Sequence, residues 1–207
     1  MADRLSLYNG ALLKLGQPRL SALTDEGKGR RALDACYDKV IKRCLEGGFW
    51  NFALRFVQFT SDPSYNSEYG YQKIFAKPDD WLRTAGVTFD GHGRSPLLDY
   101  DDRQDFWLAD VDPIYVRYVS NDVAYGMDLG RWPENYATFV EYDLAHETCE
   151  EITGSAEKKQ RLEKDRETAG KRASNTDAMN EPVTRFAPPG RLVQSRGNWS
   201  RGSSGAR

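Results

Sequence analysis

The chain has 207 residues, with 29 Lys+Arg against 31 Asp+Glu, two histidines, a formal net charge of -2 and a hydrophobic fraction of 39%. That length suits one domain, or a domain with an elaboration, whose core needs neither disulfides nor metals. A mean hydropathy of -0.71 is low for a compact enzyme. The longest apolar runs are four or five residues, far short of the roughly 20 that span a bilayer, and Met1-Ala2-Asp3-Arg4 shows no signal peptide.

Leu5, Tyr8, Leu12 and Leu15 recur at three- and four-residue steps, which predicts a short amphipathic helix over 3–15. Gly16 stands at its C′ position and Pro18 prevents continuation. After a connector, Leu33, Cys36, Tyr37, Val40, Ile41, Cys44 and Leu45 form one apolar stripe, a helix over 26–46 with Thr24 or Asp25 as candidate N-caps. Gly47-Gly48 ends it. The loop between the two helices makes them antiparallel candidates.

The texture then changes. Phe49-Trp50-Asn51-Phe52-Ala53 is an aromatic knot, and Phe52, Leu54 and Phe56 alternate as in a strand. Tyr69 to Ala76 reads as extended, Pro78-Asp79-Asp80 as a turn, and Trp81-Leu82-Arg83 as the start of another element. Val87-Thr88-Phe89 and Pro96-Leu97-Leu98 flank Asp90-Gly91, a hairpin signal. Asp105 to Ala109 and Ile114 to Val119 read as two more strands. Residues 49–129 are therefore a predicted β-rich insertion with strands at hairpin spacing. Trp50, Phe52, Tyr71 and Trp81 are the expected hinge core between helical and β parts, with an interface role as the other reading.

Helix returns at Pro133-Glu134, where proline suits the first turn and the acid suits the positive helix end. Its stripe of Phe139, Tyr142, Ala145, Cys149 and Ile152 runs to Gly154. Ser155 then caps a very polar helix to about Met179, with Leu162, Ala169 and Ala173 as its few apolar positions. A helix this polar must lean on the first helices or on a neighbouring subunit. The predicted fold is thus α+β: a helical bundle from 1–48 and 130–180, the β-rich insertion, and a flexible basic arm over 181–207.

Residues 182–207 carry five arginines, no acid and no lysine, so removing them from a net -2 leaves the first 181 residues at -7. Such a Gly/Ser/Arg segment cannot order itself by burial. It reads as a solvated terminus, as a nucleic-acid contact working through counterion release, or as a segment that orders on a protein partner. Phe186, Leu192, Val193 and Trp199 favour the last. Anchors at such spacing suit an extended segment in a groove, with Arg185, Arg191, Arg196 and Arg201 at the rim.

Chemistry-bearing motifs are sparse. Cys36, Cys44 and Cys149 form no CxxC and read as small buried hydrophobes. His92 sits in a hairpin tip. His146-Glu147-Thr148-Cys149-Glu150 has Glu where a zincin needs its second His, so His146 reads as a satisfied, half-exposed side chain. No GxGxxG, GxxxxGK[ST] or GxSxG occurs. No cofactor or metal is expected. A glycan hydrolase would need two carboxyl groups, one with a raised pKa. Glu147, Glu150 and Glu151 look instead like a solvated helix face.

Five segments in order carry a resemblance: Leu5-Ser-Leu-Tyr-Asn9-Gly-Ala-Leu-Leu-Lys-Leu15-Gly16, Ala32–Asp38, Phe49–Ala53, Phe75–Arg83 and Leu144–Gly154. They resemble the "N-x-A-L-x-x-L-G" opening, second helix, W-N-F-A knot, "lP-x-D-x-L-R" segment and late helix of the podophage tail tubular protein A family. These are the head-to-tail adaptors, or gatekeeper rings, of short-tailed phages. The resemblance implies a non-enzymatic virion subunit in a dodecameric ring between the portal and the tail nozzle. DNA would pass through its lumen, and its C-terminal arm would run along the portal. An acidic body agrees with a lumen that repels DNA. A nucleic-acid-binding module and a related head-completion protein are the other readings.

Overall fold

A computed structural model describes residues 2–63 and 70–180. The arm positions Arg185, Phe186, Arg191, Leu192, Val193, Arg196, Trp199 and Arg201 lie outside the described residues. The fold is α+β; the described residues form four α-helices, a short 3-10 turn at Leu129–Arg131 and two small antiparallel sheets.

Helix α1 (Arg4–Leu15) begins with a capping box. The Asp3 carboxylate accepts from Ser6 N at 2.6 Å, and the Ser6 hydroxyl accepts from Asp3 N at 2.9 Å. It ends on Gly16, whose φ of 67° lets its amide reach the Leu12 and Leu13 carbonyls. Leu7 rather than Leu5 joins Tyr8, Ala11, Leu12 and Leu15 in the core. Helix α2 (Lys28–Glu46) buries the whole predicted stripe. Its N-cap is Gly27, which gives no side-chain cap; neither Thr24 nor Asp25 caps it. Asp25 instead accepts from Ser21 N and Ala22 N, and so shapes the connector.

Helix α3 (Glu134–Thr153) is the centre of the bundle, and α1, α2 and α4 (Ala156–Met179) all pack on it. The first two helices are thus partners of α3 more than of each other. Pro133 takes the N-cap position, and Gly154, φ 67°, ends the helix. Ser155 caps α4 by accepting from Lys158 N at 3.2 Å. Only Leu162, Ala169 and Ala173 of α4 are buried, as the sequence pattern predicts. Its support is α3 together with the end of α1, where Lys158 Nζ donates to the Leu15 carbonyl at 2.7 Å.

Between the helix pairs, β1 (Leu54–Phe59), β3 (Trp81–Thr88) and β6 (Ile114–Ser120) form one sheet in the order β1-β6-β3. The second sheet holds β2 (Lys73–Ala76), β5 (Phe106–Ala109) and the two-residue β4 (Asp101–Asp102), in the order β2-β5-β4. The successive strands β5 and β6 are not a hairpin; 110–113 carries the chain from one sheet to the other. The segment around Asp90-Gly91 does fold back, but it closes with a single bridge, Thr88 to Pro96. Proline has no amide to extend the ladder.

Two cores result. The helical core draws on all four helices and adds Trp50, Ala53, Leu82 and Val119 from the insertion. The second core holds Phe75, Val87, Trp107, Ala109, Ile114, Val116 and Tyr118 between the sheets. Because strand side chains alternate, neighbours separate: Tyr118 enters the β core and Val119 the helical core.

The expected hinge core of Trp50, Phe52, Tyr71 and Trp81 does not assemble as one cluster. Trp50 and Phe52 stack in the helical core, ring centres 6.4 Å apart, and Tyr136 meets each at 4.8 Å. Trp81 packs edge-on to Trp107 at 6.5 Å in the β core. Tyr71 belongs to neither; its hydroxyl donates to Asp99 on the surface at 2.8 Å. The physical reason is strand alternation, which sends Trp81 away from its neighbour Leu82 and so away from Trp50.

Gly154 has open space where a Cβ would stand, so its positive φ is the whole cost of replacing it. Gly154→Ala is expected to destabilise by about 1–2 kcal/mol. Gly27→Ser, in extended backbone at an uncapped N-terminus, is expected to gain a few tenths. Urea unfolding of both variants checks the opposite signs.

Candidate functional site

The densest polar constellation ties α2, α3 and α4 together. Asp143 on α3 is 2% exposed. Arg43 of α2 forks onto it, Nη2 to Oδ1 at 2.9 Å and Nε to Oδ2 at 3.2 Å. Arg166 of α4 donates to Oδ1 at 3.0 Å, and the Cys44 thiol lies 3.1 Å from Oδ2. Two cations and a thiol thus converge on one buried carboxylate, which satisfies a charge that burial alone would expel.

A second ring of ion pairs surrounds it. Glu147 accepts from Lys39 at 2.9 Å and from Arg43 at 3.1 Å. Glu163 meets Arg166 at 2.7 Å and His146 Nε2 at 2.7 Å. Hydrogen bonding from Lys39 lowers the Glu147 pKa against the effect of burial, and Arg43 lowers it further. A general acid needs the opposite shift. Glu150 pairs with Lys159 at 3.1 Å, so two of the three predicted solvated acids are engaged in ion pairs. His146 is satisfied at Nε2 only; Nδ1 is buried without a hydrogen-bond partner, as is the Tyr136 hydroxyl. Among the described residues, no group of three or more His, Cys, Asp or Glu is arranged to hold a metal ion. None of their helices is long and apolar enough to cross a membrane.

All three cysteines are free and buried. Burial pushes the Cys36 thiol up to about 11. Burial raises Cys44 too, and the adjacent Asp143 carboxylate adds to that. Thiols held this way are poor nucleophiles.

Beside the Asp143 cluster a groove of about 660 Å³ opens between α2, α3 and α4. Cys44, Trp50 and Phe139 line it, and the bare Cα of Gly170 leaves room for the Phe139 ring. A Cβ at Gly170 would stand 3.1 Å from that ring. A glycine in mid-helix, costing about 1 kcal/mol relative to alanine, thus has a packing reason here.

A second polar hub sits at the junction with the sheets. Asp80 accepts from Arg55 at 3.0 Å, from the Tyr118 hydroxyl at 3.2 Å and from the Ser120 hydroxyl. Burial raises the Asp80 pKa, but these hydrogen bonds outweigh it and hold the carboxyl below its usual range. The Pro78-Asp79-Asp80 turn therefore joins three strands. Sequence patterns had no signal for either hub, because the partners come from distant segments. No protein-family model matches the chain, and no curated protein matches it.

Asp143→Ala removes the carboxylate that Arg43 and Arg166 share, while Glu147 and Glu163 still pair with them, and a loss of about 1–3 kcal/mol is expected. Arg43→Ala should cost less, since Arg166 still neutralises the carboxylate; chemical denaturation compares the two. Asp80 and Glu147 both have lowered folded-state pKa values. Their stabilisation is therefore complete above about pH 5 and lost as pH falls through and below the usual carboxylate values near 4. Asp80→Asn should be less stable than the parent at pH 7 and should show a shallower loss between pH 5 and pH 3 in urea titrations.

Proposed function

We propose that this chain is a structural subunit of a head-to-tail adaptor ring in a short-tailed phage, seated between a portal and a tail nozzle. The observation that carries this reading is what the motif residues of the resemblance do in the fold. Asn9 clamps the connector after α1, accepting from Leu20 N at 2.7 Å and donating to the Leu20 carbonyl at 3.1 Å. Ala11, Leu12 and Leu15 are core, and Gly16 takes the left-handed cap. In the aromatic knot, Trp50 Nε1 donates to the Cys44 carbonyl at 2.9 Å, and Asn51 Nδ2 donates to the Asp177 carbonyl at 2.9 Å. The knot thereby pins the end of α4 to the end of α2. These positions position elements; none is arranged around a reacting group.

The architecture supports the same reading. A helical body with a β module inserted between its two helix pairs has two unlike ends. A subunit with unlike faces forms heterologous contacts that close into a ring when the rotation permits. In this proposal the ring is a dodecamer, the lumen passes DNA, and the basic segment 182–207 grips the portal through Phe186, Leu192, Val193 and Trp199.

Light scattering of the purified chain, alone and with the portal of the same particle, tests this. The expected outcome is a monomer alone and one closed ring on the portal. A chain that ignores the portal overturns it. Binding to DNA that weakens steeply with salt and is lost on removing 182–207 would favour the nucleic-acid reading instead.

A further inference from the structure

The groove between α2, α3 and α4 is open, and the chain's own course indicates what covers it. Helix α4 forms one wall, and its C-cap is Asn180. A smaller hollow of about 170 Å³, lined by Gly48, Phe49, Trp50, Ser174, Asp177 and Ala178, reaches the last turn of α4. It shares Trp50 and Ser174 with the groove. The two depressions form one trough, running from the end of α4 back to Glu167. Phe49, in its wall, is 44% exposed, and Met179, next in sequence to the lining residue Ala178, is 84% exposed.

The chain length beyond α4 fits this trough. From Ala178 back to Glu167 is eleven helical residues, about 16 Å at 1.5 Å per residue. From Asn180 to Phe186 is six residues, a reach of about 20 Å when extended. Glu181-Pro182 follows directly, a dipeptide that disfavours continued helix and so favours a change of direction. Phe186 is the first aromatic residue after the helix.

The charges fit as well. Residues 182–207 carry five arginines onto a body at -7. Arg43 and Arg166 are already held by Asp143, Glu147 and Glu163. Glu167, on the rim, makes no ion pair with any described residue and stands free for Arg185. Lys171, one turn further on, is the remaining rim cation.

We infer that, in the free protein, the segment from Pro182 to Val193 folds back along α4 and seats Phe186 in the apolar groove of its own copy. The groove is then a storage site, which keeps the segment's apolar anchors out of water and out of contact with other copies. The inference stands without the adaptor reading, because it concerns the chain alone. If that reading also holds, a portal must draw the segment out of the groove.

The test uses the full chain with a photoreactive benzoylphenylalanine in place of Phe186, irradiated in dilute solution. Mapping the adducts by mass spectrometry, with an equal mixture of isotope-labelled and unlabelled protein, separates contacts within a copy from contacts between copies. The expected result is adducts on the groove walls within one copy. Ser174 is exposed on α4, so Ser174→Trp fills the groove without entering the core. Losing the burial of a Phe-sized side chain should lower the adduct yield about tenfold or more. Adducts scattered over the surface, adducts joining two copies, or a yield untouched by Ser174→Trp each overturn the inference. No portal enters the experiment, so its failure and the failure of the adaptor reading are separate results.

Discussion

The two hydrophobic cores are coupled through strands that belong to both. On β6, Ile114, Val116 and Tyr118 face the β core, while Val119 enters the helical core. On β3, Trp81 and Leu82 divide in the same way. A rigid backbone with a two-residue side-chain period cannot shift one core without shifting the other. The Asp80 carboxylate holds this crossing in register by accepting from β1 and from two residues of β6. The β module is thus anchored to the bundle by shared strands, and its placement does not depend on a flexible linker.

The bundle solves a different problem. Helix α4 offers three buried small or medium residues over 24, too narrow a stripe to hold it by burial alone. Asp143 and its two arginines supply the missing tie. A buried ion cluster costs desolvation and adds little net stability over a packed apolar core, but it accepts only one arrangement of its donors. Here that arrangement sets the register of α4 against α2 across α3. Gly170 then admits the Phe139 ring, and the groove follows from the gap that remains.

His146, Asp143, Glu147 and Glu163 are engaged in ion pairs between helices, and the three thiols are buried. What stands open is an apolar trough beside the end of α4, followed in sequence by a basic segment with spaced aromatic and aliphatic anchors. In the adaptor reading proposed above, a ring subunit that stays soluble before assembly and turns adhesive during it would use such a segment, with a place on its own body to keep it.

Local patterns determined much of this fold. The α1 stop at Gly16, the α2 stripe, the Gly154 break, the Ser155 cap and the three buried positions of α4 were all legible, because each depends on residues within one or two turns. Tertiary structure alone decided that α3 is the central helix, that β5 and β6 belong to different sheets, and that Trp81 and Trp50 serve different cores. It also decided that Asp143, Asp80 and the groove exist at all. Each of these joins residues some 20 to 130 positions apart, and no period or cap in a one-dimensional pattern encodes which distant donor will meet a given carboxylate.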